Sequence, residues 1–194
     1  MRKAAVIAMG VVTITGAALA SMVRFTDSPA EPPTDPVPVV AAALLRERAP
    51  VLPVAGMSAA QLTDTWGQSR GGGARAHQGI DVMAPRGTPV RAIADGVVEK
   101  LFLSRDGGIT LYQRSRDRSL SFYYAHLAGY APGVAEGARV SAGQTIGYVG
   151  DTGNAGAGNT HLHFGVHRME PADRWWGGEA LNPYPLLAGK GPER

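Results

Sequence analysis

Short β-prone runs separated by glycine-containing turns fill the chain from residue 51 to residue 187. The runs are rich in β-branched and aromatic residues, which favour strands. Asp106-Gly107-Gly108 and Asp95-Gly96 are typical of hairpin turns. The pattern therefore predicts a mainly β domain of short strands joined by hairpins. The runs lie at residues 88–94, 96–103, 109–114, 120–127, 144–150 and 161–167.

The first 20 residues have the features of a secretory signal. Arg2 and Lys3 precede an uncharged stretch that runs to Val23, and the tripeptide ALA at 18–20 has the small-x-small form of a cleavage site. The alternative is an uncleaved inner-membrane anchor, since about 20 apolar residues can span a bilayer. Either way, we expect the rest of the chain to be exported to the periplasm or cell envelope.

A linker is predicted between this leader and the β domain. Residues 28–38 are rich in proline and lack a hydrophobic period, so they should be extended. Residues 39–49 predict one short helix that ends before Pro50. The expected organisation is a signal peptide or anchor at 1–20, a linker with a helix at 21–50, the β domain at 51–187 and a tail at 188–194.

The composition excludes several classes of function. The 194 residues carry a formal net charge of +3, which falls to +1 when Arg2 and Lys3 leave with the leader. That balance does not favour nucleic acid as a partner. Because the chain has no cysteine, it has no disulfide, no thiol nucleophile and no thiolate metal ligand. Any metal ion must be held by histidine and carboxylate side chains.

Two histidines stand two residues apart in the apolar run HLHFGVH. In a strand, His161 and His163 would point to the same face. The apolar residues that alternate with them would face a core. The pair could serve a metal ion, because histidine is the commonest metal ligand, or it could be exposed on an edge strand.

A second histidine lies four residues before an aspartate, in the segment HQGID. A fully extended strand would separate the Cα atoms of His77 and Asp81 by roughly 13 Å, which is too far for both side chains to reach one ion comfortably. The segment must therefore bend if both are ligands. Gly79, at its midpoint, permits unusual backbone angles and leaves room for an ion.

Together these segments predict a catalytic zinc site. Two histidines and one aspartate make the three-ligand set that leaves a fourth position open for water. A structural zinc site would need a fourth protein ligand. The run YYAHL adds Tyr124 and His126, which would share one strand face. Taken alone, His126 could be a catalytic base or a solvated strand residue.

In this combination and order, the motifs resemble the lysostaphin-type, or LytM-type, family of zinc endopeptidases. The resemblance covers roughly residues 52 to 187, and no metal or catalytic position of the family pattern is missing. The matching pieces are HQGIDV at 77–82, APRGTPV at 84–90, ADGVV at 94–98, YAHL at 124–127, GARVSAGQTIGYVGDTG at 137–153, HLHFGV at 161–166 and LNP at 181–183.

The resemblance implies a fold, a site and a substrate. The fold would be a small antiparallel β-sheet domain of the duplicated-hybrid-motif type with a groove across it. His77, Asp81 and His163 would bind one zinc ion, and His126 and His161 would be catalytic groups beside it. The enzyme would be a zinc metalloendopeptidase that hydrolyses peptide bonds in the stem peptides or cross-links of peptidoglycan.

Two positions are peculiar to this chain. Gly165 stands where the family often carries an acidic or polar residue, so a contact in the groove would be lost. His167 shares the strand face of His163, but four extended residues place it too far away to bind the same ion.

Other functions stay open on the sequence. A non-catalytic relative could bind and activate a cell-wall amidase, although such members usually lose zinc ligands. A lipoyl-type carrier needs a lysine at a hairpin tip, and none lies between Lys100 and Lys190. A sugar phosphotransferase domain would be cytoplasmic, which conflicts with the leader. The sequence does not decide whether a protein activator must open the groove.

Overall fold

The structure, a computed structural model, describes residues 51–189. The predicted leader, proline-rich linker and short helix lie outside the described residues, as does most of the predicted tail. Within the described range, no helix is both long enough and apolar enough to cross a membrane.

The described chain is mainly β, as the sequence predicts. A single short α-helix, α1 (Pro183–Leu187), follows the last strand in this range, and Asn182 caps it by accepting a hydrogen bond from the Tyr184 backbone N–H. The strands are β1 (Ser69–Arg70), β2 (Arg75–Ala76), β3 (Ile80–Met83), β4 (Pro89–Arg91), β5 (Gly96–Ser104), β6 (Gly108–Ser115), β7 (Leu120–Tyr130), β8 (Arg139–Val140), β9 (Thr145–Val149), β10 (His161–Arg168) and β11 (Glu179–Leu181).

All pairings between these strands are antiparallel. Strands β1 and β2 form a separate two-stranded sheet, and the other nine belong to one sheet with the central order β11-β10-β7-β6-β5-β8. Strand β3 pairs with the first half of β10, and β9 pairs with the second half of β7 and with β4. Strand β10 is therefore an interior strand, which rules out the alternative of surface histidines on an edge.

The alternation predicted for β10 is confirmed. Leu162, Phe164 and Val166 are buried in the main apolar cluster, so His161 and His163 point to the other face. Burying the apolar set fixes the register of β10, because a slip by one residue would exchange the two faces. The core thus determines which face presents the imidazoles.

Strand β7 is not regular, and its irregularity lies at His126. Between Leu111 and Ile109 the partner strand β6 advances by two residues, whereas β7 advances by three, from Tyr124 to Leu127. The extra residue is a β-bulge, in which His126 takes a left-handed φ of 61°. A non-glycine residue in that region is uncommon and often marks a functional position.

The bulge corrects the prediction that Tyr124 and His126 share a face. Tyr124 is fully buried in the core, where its hydroxyl donates to Gln113 Oε1 and accepts from the Ile93 N–H. His126 instead lies with its ring 4.8 Å from that of His161. Since regular alternation would have sent His126 into the core beside Tyr124, the inserted residue turns it towards the other histidines.

One of the two predicted hairpin turns is present. Residues 105–107 join the paired strands β5 and β6. Asp95-Gly96 is not a hairpin turn, because the preceding strand β4 pairs with β9 rather than with β5. Gly96 instead allows close packing: a Cβ there would lie 2.2 Å from the Arg114 carbonyl oxygen.

Candidate metal centre

Three side-chain atoms converge beside the first half of β10. His77 Nε2 lies 2.9 Å from His163 Nδ1, and Asp81 Oδ1 lies 3.1 Å from each of these nitrogens. Within the described range, His77, Asp81 and His163 form the one group of three or more such side chains close enough to share a metal ion. They are the three residues predicted as zinc ligands.

Strand pairing brings these residues together. Asp81 on β3 is the direct cross-strand partner of His163 on β10, so their side chains project from the same side. His77 precedes β3, which begins at Ile80. The predicted bend between His77 and Asp81 is confirmed, because their ligand atoms lie 3.1 Å apart.

Gly79 makes the bend possible in a different way from the one predicted. It does not take a positive φ. A Cβ at this position would lie 2.6 Å from the Phe164 carbonyl oxygen and 2.8 Å from His163 Cε1 and Nε2. The missing side chain therefore leaves room for the imidazole of His163 and for close backbone approach.

The geometry fits a small divalent cation such as zinc. Zinc binds imidazole nitrogen and carboxylate oxygen at about 2.0–2.2 Å in a tetrahedral arrangement, which places ligand atoms roughly 3.3–3.6 Å apart. The separations of 2.9–3.1 Å among the three atoms are a few tenths of an ångström shorter, so small side-chain movements would fit them to one ion. Two neutral imidazoles and one carboxylate would leave a bound Zn²⁺ with a net positive charge.

Asp81 is ionised in this setting. Burial alone would raise the pKa of its carboxyl group, but hydrogen bonds and charge interactions with His163 and His77 outweigh burial and hold the pKa well below its usual range. The carboxylate is 20% exposed and His163 is 18% exposed. The ionised carboxylate and the His163 ring are thus both accessible from solvent.

His77 presents the correct nitrogen for a ligand. Its Nδ1 lies 2.7 Å from the Thr65 carbonyl oxygen, which can only accept, so Nδ1 carries the proton. Nε2 is therefore the nitrogen that faces Asp81 and His163, and its lone pair would be offered to a metal ion on binding. Arg70 Nη2 lies 3.2 Å from the same Nδ1, but two donors cannot hydrogen-bond to each other.

His126 and His161 make the same type of hydrogen bond, from Nδ1 to a backbone carbonyl oxygen. His126 Nδ1 lies 2.8 Å from the Thr152 carbonyl oxygen, and His161 Nδ1 lies 2.9 Å from the Asn159 carbonyl oxygen. Both rings therefore donate through Nδ1, and in the neutral form of each ring the lone pair is on Nε2. His161 Nε2 is 3.8 Å from Asp81 Oδ1, and the His126 ring is 6.0 Å from that of His163. The two predicted catalytic histidines thus lie beside the cluster without joining it.

His126 is held neutral near pH 7. Burial lowers its pKa to about 4, although the hydrogen bond to Thr152 acts in the opposite direction. The neighbouring rings of His161 and His163 lower the pKa further. A neutral imidazole with a free Nε2 can accept a proton.

The tyrosine on the side of the metal centre is Tyr123, which the sequence prediction missed. Its ring centroid lies 5.7 Å from that of His163, and it pairs across the strands with Gly165. Burial and the neighbouring Tyr112 raise the pKa of Tyr123, so its hydroxyl group stays protonated. Alternation from the buried Tyr124 could have identified it, but the sequence does not show which of the two tyrosines is buried.

Further aromatic rings extend this face away from the centre. Tyr112 packs on Tyr123 at 4.7 Å, and Trp175, from the β10–β11 connection, packs on Tyr112 at 4.9 Å and on Phe102 at 5.1 Å. Trp176 is 59% exposed. The two adjacent tryptophans therefore differ: one is packed on the sheet and the other faces solvent.

His167 is outside the cluster, as predicted. It belongs to a regularly paired part of β10, opposite Ser121 on β7 and Ala180 on β11. A Cβ on Gly165 would lie 3.5 Å from His167 Cε1 and from Tyr123 Cβ. His167 thus packs beside the position where the resemblance leads one to expect a larger side chain.

Solved structures of peptidases share this architecture. The catalytic domain of the antimicrobial peptidase lysostaphin from Staphylococcus simulans superposes with a TM-score of 0.52 at 31% identity, over 63% of this chain and 88% of that one. A zinc-containing peptidase from Vibrio cholerae superposes with a TM-score of 0.50 at 27% identity, over 61% of this chain and 36% of that one. The fold is thus that of the LytM- and lysostaphin-type catalytic domains.

Sequence comparison gives the family. The family model described as Peptidase family M23 matches residues 75–183. The chain belongs to peptidase family M23, which confirms the resemblance inferred from the motifs. It is 39% identical over 129 residues to the L-Ala–D-Glu endopeptidase of Bacillus subtilis (strain 168), a match over 63% of this chain and 38% of that protein's length.

Proposed function

We propose that this protein is a zinc-dependent endopeptidase that hydrolyses peptide bonds in the stem peptides or cross-links of peptidoglycan. The observation that carries the proposal is the convergence of His77 Nε2, Asp81 Oδ1 and His163 Nδ1, with two further basic imidazoles beside them. Membership of family M23 and similarity to a named L-Ala–D-Glu endopeptidase support the substrate class.

In this proposal, His77, Asp81 and His163 hold the zinc ion. Bound zinc would supply a Lewis acid that polarises a carbonyl group and makes water a better nucleophile. The chain supplies the rest of the chemistry. His126 and His161 present Nε2 lone pairs, so either ring can accept the proton of the attacking water. The ring protonated in this way can stabilise the oxyanion, and the proton then passes to the leaving amine, which balances the reaction. Their Nδ1 hydrogen bonds keep both rings in the required tautomer.

The test is digestion of purified sacculi by the zinc-loaded protein, with the products identified by mass spectrometry. We expect new peptide termini at one type of bond and no cleavage of glycan. A protein that binds zinc and leaves sacculi intact, with no inhibitory segment present, would contradict the proposal. Activation of a cell-wall amidase by such an inactive protein would instead favour the non-catalytic alternative.

We also propose that the domain acts outside the cytoplasm, in the periplasm or cell envelope. The basic start, the uncharged stretch and the ALA cleavage motif at 18–20 support export. A reporter that is active only after export, fused after residue 60, should be active. A mature N-terminus at Ser21 would favour cleavage, whereas an intact leader in the membrane fraction would favour the anchor. A fused reporter that stays in the cytoplasm would contradict both forms of the proposal.

A further inference from the structure

We propose that Thr65 and Arg70, just upstream of the metal-binding motif, position His77 and Asp81 and thereby set the affinity for zinc. The inference rests on the proposed zinc site. Neither residue belongs to the three-ligand cluster, and each contacts the ligands through a different group. They are positioning residues, because they hold the ligand atoms in place and do not bind the metal ion themselves.

Thr65 contacts both upstream ligands. Its carbonyl oxygen accepts a hydrogen bond from His77 Nδ1 at 2.7 Å, which fixes the ring orientation and the tautomer. Its hydroxyl oxygen accepts from the Asp81 backbone N–H at 3.0 Å. Thr65 therefore forms hydrogen bonds with both residues that flank the bend, His77 and Asp81. Such outer contacts orient a ligand before the metal arrives and raise its basicity.

Arg70 fixes the rotation of the Asp81 carboxylate. Its Nη2 donates to Oδ2 at 2.7 Å, while the other oxygen, Oδ1, faces His77 and His163. A carboxylate without this partner could turn about its terminal bond and offer either oxygen. The charge-assisted hydrogen bond thus selects Oδ1 as the single ligand atom.

The backbone of this segment is held independently of these two side chains. The Gly67 N–H donates to the His77 carbonyl oxygen, and the His77 N–H donates to the Gln68 carbonyl oxygen, each at 2.9 Å. Arg70 itself pairs with Arg75 across the β1–β2 hairpin. Removing the Thr65 hydroxyl or the Arg70 guanidinium should therefore leave the local path of the chain intact.

If the Arg70–Asp81 ion pair served only to stabilise the fold, its loss would lower the stability of the metal-free protein rather than its zinc affinity. The Arg70 side chain is 31% exposed and its partner 20% exposed, and an ion pair that solvent can reach contributes little to folding. Loss of the pair should hardly change the stability of the metal-free protein. Loss of an outer contact to a metal ligand, in contrast, typically weakens metal binding by about 10–100-fold.

The experiment measures zinc affinity and metal-free stability in parallel. Zinc affinity is obtained by competition with a chromophoric chelator, and the thermal midpoint is measured on chelator-treated protein. The variants are Arg70→Gln, Thr65→Val, which removes the hydroxyl at nearly constant shape, and Thr65→Ser, which keeps the hydroxyl. Arg75→Gln is the matched control, because Arg75 lies on the same hairpin and is exposed.

We expect zinc binding to weaken about 10–100-fold in Arg70→Gln and Thr65→Val, with Thr65→Ser and Arg75→Gln close to wild type. The thermal midpoint of the metal-free protein should be unchanged in all four. Wild-type zinc affinity in Arg70→Gln and Thr65→Val would overturn the inference, as would a loss of affinity accompanied by an equal loss of metal-free stability. Failure of the wild type to bind zinc would instead overturn the proposed function.

Discussion

The imidazole rings of His126 and His161 lie 4.8 Å apart, and each donates its Nδ1 proton to a backbone carbonyl oxygen. They come from the paired strands β7 and β10. The carbonyl partners belong to Thr152 and Asn159, in the connection that leads into β10. This connection therefore orients both rings, so that the two basic Nε2 atoms are available together.

The first prediction concerns these two histidines. His126→Ala and His161→Ala should each keep zinc and the fold but lose about 10²–10⁴-fold in hydrolysis of cross-linked peptides, because each removes a proton-transfer group. Metal analysis and a rate assay on purified muropeptides measure the two effects. His167→Ala is the control, since His167 lies on the same strand face outside the cluster and should keep zinc and most of the activity. Unchanged hydrolysis in both single variants would show that neither group transfers a proton.

The second prediction concerns the ligands. Protein purified without chelator should contain about one zinc per chain, and Asp81→Ala or His163→Ala should abolish it, because two remaining ligands bind zinc poorly. Elemental analysis after gel filtration gives the stoichiometry. Zinc should also raise the thermal midpoint of the wild type but not of the variants. Full zinc retention in both variants would refute the ligand assignment.

The third prediction concerns Gly79. Gly79→Ala places a Cβ 2.6 Å from the Phe164 carbonyl oxygen and 2.8 Å from the His163 ring, so either the strand or the imidazole must move. We expect zinc affinity and activity to fall by at least about 10²-fold, since a displacement of about 1 Å can cost that much in rate. Gly133→Ala is a control for glycine replacement, because a Cβ there meets nothing within 4 Å, although its φ of 80° adds some backbone strain. Tight zinc binding in Gly79→Ala would mean that the bend tolerates a side chain.

The fourth prediction concerns pH and stability. Burial lowers the pKa of His167, and burial lowers that of His126 to about 4, so both rings stay neutral in the folded protein while the unfolded chain takes up protons below about pH 6.5. The contribution of His126 to stability is complete above about pH 6.5 and is lost as the pH falls towards its folded-state pKa of about 4, and His167 contributes in the same direction. The free energy of unfolding of the metal-free protein should therefore fall between pH 7 and pH 5.

His167→Asn removes one of these titrating groups without touching the ligand cluster. We expect the free energy of unfolding to depend less steeply on pH in this variant, as measured by urea denaturation at pH 7 and pH 5. Metal-free protein is used at both pH values so that protonation of the ligands does not contribute through zinc release. An equally steep pH dependence in the variant would show that His167 is accessible to protons in the folded state.

Much of the fold and of the centre could be predicted from local patterns. Strand β10 was identifiable because its apolar residues alternate with its histidines, and alternation depends only on the two-residue period of a strand. The residue types of the ligands were predictable because a chain without cysteine must hold a metal ion with histidine and carboxylate side chains. The choice of His163 rather than His161 came from the resemblance to the family. The bend at HQGID followed from the reach of the side chains.

The contacts that complete the centre could not be predicted, because they depend on residues far apart in the sequence. Thr65 and Arg70 carry no motif of their own and matter only because the chain before β3 folds alongside the ligands. Tyr123 faces the centre because Tyr124 is drawn into the core, a choice made by packing across the whole sheet.

The sequence by itself thus determined the chemistry of this protein: a β domain of family M23 with two histidines and one aspartate able to bind a metal ion, and two more histidines nearby. Tertiary structure alone decided where His126 points. Regular alternation predicts that it shares the face of Tyr124, yet the bulge, in which the His126 N–H donates to the Gly107 carbonyl oxygen, turns it towards His161. Alternation is a local property of one strand. A bulge, in contrast, depends on two strands: it forms where one strand has an extra residue between hydrogen bonds that both strands share.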